Sequence, residues 1–193
     1  MKKKLITAPT DTAISLAEAK AHLVVEHSDD DTLIAAYISQ ATGFAEKYTG
    51  LHLMSQTWDY YFNCVNVNEL SIDVNNATSV DQISYRETAG GLVLTQLPAV
   101  IATDYYVDLV SCPLKVKPVS SWPTITSEGY NNFVVRVTSG FASAAVVPSE
   151  IKTALYLIVG HLYRNRESVT VVNMHELPMG VSDFLNKVRV ISL

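Results

Sequence analysis

The spacing of apolar residues changes period twice along the 193-residue chain. In "SLAEAKAHLVV" and in "TLIAAYISQATGFAEKYTG" apolar residues recur at steps of three and four, the spacing that lines one face of an α-helix. The first stretch opens on Ser15 with Glu18 three residues later, a pair whose side chains satisfy each other's free backbone amides. A short helix is predicted from Leu16 to about Val24. In the second stretch Leu33, Ile34, Tyr37, Ile38, Ala41, Ala45 and Tyr48 share a face. Ser28 reads as its N-cap, and Gly50 stands where a left-handed cap ends a helix.

From about residue 53 to 140 the period falls to two. "QTWDYYFN" sets Trp58, Tyr60 and Phe62 against Thr57, Asp59 and Tyr61, which is the alternation of a half-buried strand. "LSIDV" repeats it. "VDQISYRETAGGLVLTQL" reads as two strands joined by a turn at Ala89, Gly90 and Gly91. "DYYVDL", "LKVKP" and "NNFVVRVTSG" add three more, the last with Phe133, Val135 and Val137 facing one way. Six or seven short strands separated by turn signals predict an antiparallel sheet or small barrel.

The helical period then returns. Pro148 suits the first position of a helix and Glu150 its first turn, and Ile151, Leu155, Ile158 and Leu162 form a stripe along "EIKTALYLIVGHLYRNRE". Ala154, Leu157 and Val159 make the other faces apolar as well, so this helix is expected to be central. A loop leads to a last helix from about Val181 to Lys187 and to "VRVISL", which has the composition of a strand. Neither helical segment is large enough to be stable alone. The fold class is therefore α+β: residues 1–52 and 141–193 form a small helical bundle, and 53–140 is a β-rich insertion.

Composition narrows the function. With 48% hydrophobic and 17% charged residues the chain is globular and slightly apolar, leaving surface for partner subunits. Fourteen Lys and Arg against nineteen Asp and Glu give a net charge of −5, the wrong sign for gripping phosphate backbones. The run Lys2 to Lys4 reads as a solvated tail. Cys64 and Cys112 are far apart and in no metal-binding spacing, so neither a disulfide framework nor a zinc site is expected. The apolar piece after the N-terminal lysines is short for a signal peptide, and "ALYLIVGHLY" is about half of a membrane span. A soluble chain made inside the cell, without membrane attachment, is expected.

Three consecutive carboxylates, Asp29, Asp30 and Asp31, raise the question of a metal or of acid chemistry. A calcium loop would need alternating oxygen ligands, a glycine and a closing glutamate, whereas Asp31 is followed at once by "TLIAAYI". Carboxylates in the first turn do complement a helix dipole, by about 0.3–1 kcal/mol each when exposed. They are read as helix-start acids. Nucleotide loops, nucleophile elbows and zinc-protease motifs are missing; "HELPMG" at His175 shares only two letters with the last of these. His161, in an apolar helix, reads as a hydrogen-bonded packing residue. No cofactor is implied. An enzyme built from residues such as His52, Asp104 and Asp108 stays open, because catalytic groups need be adjacent only in space.

Two segments carry a family resemblance. Residues 15–50, with "L-x-E-A-K-x-x-L", an acidic turn, "D-x-x-L-x-x-x-I" and a closing Y-T-G, resemble the N-terminal part of the head-tail connector (head-completion, adaptor) proteins of long-tailed bacteriophages. "VPSEIKTALYLIVGHLYRNRES" is similar to that family's Pro-led second helix, and "LPMGVSDFLNKVRV" to its closing segment. The resemblance implies a structural virion protein at the head-tail joint, made in the host cytoplasm. It would assemble as a homo-oligomeric ring beneath the portal protein after DNA packaging, extend the channel through which DNA passes, and offer a docking surface to the tail or its stopper. Compact members are helical, and the β block marks a longer form. A tail-terminator-like ring protein is the alternative.

The same resemblance directs attention to the polar end of the central helix. Tyr163, Arg164, Asn165, Arg166 and Glu167 are the first candidates for contact with a neighbouring subunit or the portal, because guanidiniums there could grip carboxylates on a partner. His175, Leu177 and Met179 in the following loop are the second.

Overall fold

The computed structural model describes residues 2–63, 65, 68–86, 95–96, 104–122, 125, 130–166 and 179–190. The chain divides into two compact units, one of Met1–Pro9 with Ser55–Gly140 and one of Thr10–Met54 with Phe141–Ile191.

Among the described residues, four α-helices build the second unit: α1 (Leu16–Leu23), α2 (Asp31–Thr49), α3 (Ser149–Arg164) and α4 (Met179–Asn186). The capping box at the start of α1 is complete. The Ser15 side chain accepts from the Glu18 amide, and the Glu18 carboxylate accepts from the Ser15 amide at 2.7 Å. Gly50 closes α2 in the left-handed region, with φ 74° and its N–H on the Glu46 carbonyl. Ile34, Ile38, Ala41 and Ala45 of α2 are buried against Ile151, Leu155, Ile158 and Val159 of α3 and Val181 and Leu185 of α4. Helix α3 packs against all three other helices, which is why its sequence is apolar on more than one face.

Three local expectations shift. Asp30, not Ser28, is the N-cap of α2; Ser28 contributes its carbonyl, which accepts the Asp31 amide. Pro148 is the N-cap of α3 rather than its first helical residue. Val188, Arg189 and Val190 do not form a strand; the Val190 amide instead donates to the Thr49 carbonyl at 3.0 Å.

The other unit holds two antiparallel sheets. One has the order β1-β2-β8-β4-β5, from Lys2–Thr7, Gln56–Phe62, Phe133–Ser139, Ala77–Tyr85 and Thr95–Gln96. The other has the order β3-β7-β6, from Leu70–Ile72, Leu114–Pro118 and Tyr105–Asp108. Tyr60, Phe133, Val135 and Val137 of the first sheet share one core with Ile72, Leu114 and Val116 of the second, so two sheets rather than one sheet or a closed barrel bury this core. The β4–β5 pairing matches the expected hairpin, although its Ala89-Gly90-Gly91 turn lies outside the described residues.

Strand β1 is the element least expected. Lys2, Lys3 and Lys4 are not a free tail but the exposed edge of the first sheet, opposite Tyr61, Tyr60 and Asp59. Lysines on an edge strand discourage further pairing, and Lys3 also rests over the Trp58 ring at 5.0 Å. Behind them, Arg136 of β8 grips Asp59 of β2 through two bonds of 2.7 and 2.9 Å, on the face of the sheet turned away from the core.

Candidate functional site

The three helix-start acids point to three different partners. Asp29 is open to solvent, with His27 Nδ1 3.9 Å from its carboxylate. Asp31 accepts from Lys20 Nζ of α1 at 2.6 Å. Asp30 Oδ2 accepts from Tyr163 Oη at 2.6 Å and from Arg166 Nη2 at 3.0 Å. The aspartates therefore do not converge, and among the described residues no group of three His, Cys, Asp or Glu side chains could hold a metal ion.

Asp30 and Asp31 tie helices together. Lys20–Asp31 links α1 to the start of α2, and the Asp30 contacts link the start of α2 to the end of α3. The Arg166 guanidinium also lies over the Tyr163 ring at 4.8 Å, so ring, hydroxyl and cation form one unit around a single carboxylate oxygen. The Tyr163 hydrogen bond, aided by the Arg166 charge, holds the Asp30 carboxyl below its ordinary value. The same hydrogen bond and the facing carboxylate push the Tyr163 hydroxyl up. Each partner is thus held in the protonation state the contact needs. The clamp sits where α3 ends, since Asn165 folds back to donate its side-chain amide to the His161 carbonyl at 3.0 Å.

The other candidates divide. Arg164 is exposed and makes no ion pair among the described residues. Asn165 serves the helix end, and its amide also approaches His161 Nδ1 at 3.3 Å. Met179 begins α4. Glu167, His175 and Leu177 lie outside the described residues. Tyr163 and Arg166, named from the sequence as candidates for contact with another subunit, are engaged with Asp30 of their own chain, and Arg166 keeps half of its side chain exposed. The two sequence features singled out separately, the acidic run and the Y-R-N-R end of α3, are the two halves of one contact.

Asp108 has a local role, accepting from the amides of Val110 and Ser111 and from the Ser111 hydroxyl to hold the β6–β7 turn. That bonding lowers its pKa. Asp104 precedes β6 in the same unit, and His52 belongs to the helical unit. No helix among the described residues is long and apolar enough to cross a membrane.

Residues 13–93 match the family described as "Phage gp6-like head-tail connector protein". This segment contains α1, the acidic run and α2, so the connector resemblance read from residues 15–50 stands on an independent match. Among curated proteins, none matches the chain. Among solved structures, similar chains occur in "Neck of empty GTA particle computed with C6 symmetry" (TM-score 0.81, 19% identity) and "Virion of native gene transfer agent (GTA) particle" (TM-score 0.79, 20% identity). A third occurs in "Neck of native GTA particle computed with C12 symmetry" (TM-score 0.76, 18% identity). Each similarity covers 100% of this chain and 97% of the other, so the two-unit fold is shared throughout, β unit included.

Proposed function

We propose that the protein is a head-tail connector, a structural subunit that forms a ring beneath the portal of a long-tailed phage or phage-like particle. The observation that carries this reading is the family match over residues 13–93. The full-length likeness to chains from particle necks supports it, and the sixfold and twelvefold symmetry under which two of those necks were computed supports a ring of identical copies. The role is architectural rather than catalytic. The ring extends the channel left by the portal, DNA passes through without sequence-specific grip, and the far side receives the tail or its stopper.

The net charge of −5 suits a channel wall that DNA must not adhere to, since few cations are offered to displace counterions. Within this reading the Asp30, Tyr163 and Arg166 clamp holds the end of α3 in place, and the exposed Arg164 beside it is the side chain available to a neighbour or to the portal. The subunit is made in the host cytoplasm and ends in the virion. Immunogold labelling of intact particles tests the placement: gold confined to the head-tail joint supports it, whereas gold along the tail, over the head or on neither contradicts it.

A further inference from the structure

The two ends of α2 carry surfaces of opposite character. At its C-terminal end, Lys187 lies over the Phe184 ring at 5.5 Å and Arg189 over the Tyr48 ring at 5.4 Å. Tyr48 is itself fixed, stacked on Phe44 with centroids 5.9 Å apart and donating to Asn186 Oδ1 at 3.0 Å. Lys187 and Arg189 are exposed and have no ion-pair partner among the described residues, and Lys47 adds a third exposed cation in the last turn of α2. Asp183 is the only acid on α4, and it is not paired with any of them. Cations laid over aromatic rings are pre-ordered while their N–H edges stay open to a carboxylate.

At the N-terminal end of α2, the loop from α1 exposes Glu26, His27 and Asp29, with His27 3.9 Å from Asp29; Asp30 and Asp31 are engaged by Arg166 and Lys20, so Glu26 and Asp29 are the acids without a Lys or Arg partner among the described residues. Val24 begins this loop at φ 58° with 84% of its surface exposed. A β-branched side chain is disfavoured in that backbone region, and an apolar one so exposed adds nothing to the chain's own core. Nineteen helical residues at 1.5 Å each separate the two ends by about 28 Å, so they cannot meet within one copy.

We propose that the basic aromatic surface formed by Tyr48, Phe184, Lys187 and Arg189 docks on the α1–α2 loop of a second copy of this chain, with Glu26 and Asp29 meeting the cations and Val24 buried in the contact. The proposal rests on the ring reading and adds the surfaces that would build the ring. A cyclic ring needs two different, mutually complementary patches on each subunit. Opposite ends of one rigid helix supply them, and charge complementarity sets their register.

A charge swap in cells producing the particle is the test. Lys187→Glu with Arg189→Glu, and separately Glu26→Lys with Asp29→Lys, should each lower the yield of tailed particles by roughly tenfold or more, and the four changes together should restore it. Thermal unfolding of each purified variant reports whether it folds. In a Cys112→Ser background, Asp29→Cys together with Lys187→Cys in one chain should give disulfide-linked multimers that neither cysteine gives alone. Doubles that assemble like wild type, or a quadruple variant no better than either double together with no cross-link, would overturn the interface. Tailed particles from cells lacking the gene altogether would instead defeat the connector reading beneath it.

Discussion

Asp30 and Tyr163, 133 positions apart in the chain, are joined by a 2.6 Å hydrogen bond that fixes the start of one helix to the end of another. Arg166 completes the contact on the same carboxylate oxygen. This gives Asp30 a part in the architecture of the helical unit, and it makes the clamp measurable through pH. Asp30 has a lowered pKa in the folded state, so its stabilisation is full above the ordinary carboxylate value of 3.8 and is lost as the pH falls through the lowered value. Tyr163 has a raised one, so its part is full below 10 and is lost as the pH rises through the raised value. Asp30→Asn should flatten the acid limb of a thermal-midpoint profile, leaving the slope contributed by Glu18 and Asp108, whose pKa values are also lowered. An acid limb identical to wild type would remove Asp30 from the account.

Arg166→Glu should lower the thermal midpoint, because it sets a second carboxylate against Asp30 in place of a cation. Arg164→Glu, on an exposed side chain without an ion pair among the described residues, should leave the midpoint nearly unchanged. Comparing the two by calorimetry separates the residue that holds the fold from the one free to meet a partner.

Val24→Gly should stabilise the isolated protein by roughly 0.5–1 kcal/mol, the relief of a left-handed β-branched residue less the added freedom of glycine when unfolded. If Val24 is buried between copies, the same change lowers assembly while raising stability. Denaturant unfolding and particle yield, measured on one variant, check both signs.

In the β unit, Arg136→Ala should cost about 2 kcal/mol, because it strands the Asp59 carboxylate, which is only 7% exposed, without its bidentate partner. The figure is held below that of a fully buried pair because Arg136 is itself 35% exposed. Urea unfolding would show it as a shifted midpoint with an unchanged slope.

Much of this fold is legible in the sequence because local signals and burial agree. The Ser15–Glu18 box and Gly50 each act within one turn, and the alternation in Phe133, Val135 and Val137 follows directly from one face of β8 entering the core. Strand β1 was hidden because an edge strand with every residue exposed has no alternation to display, although three lysines on such a strand are a recognisable edge device. The clamp was hidden for another reason. Asp30 and Arg166 are each explained by the dipole of their own helix, so nothing in the linear sequence says that they meet. The two segments that resemble the connector family contain both halves of the contact, and the structure adds their pairing.

The most direct test of the central claim is electron microscopy of particles from cells in which this gene is inactivated. Separate tails beside tailless heads that have lost or are losing their DNA are the expected result. Intact, DNA-filled, tailed particles would contradict it.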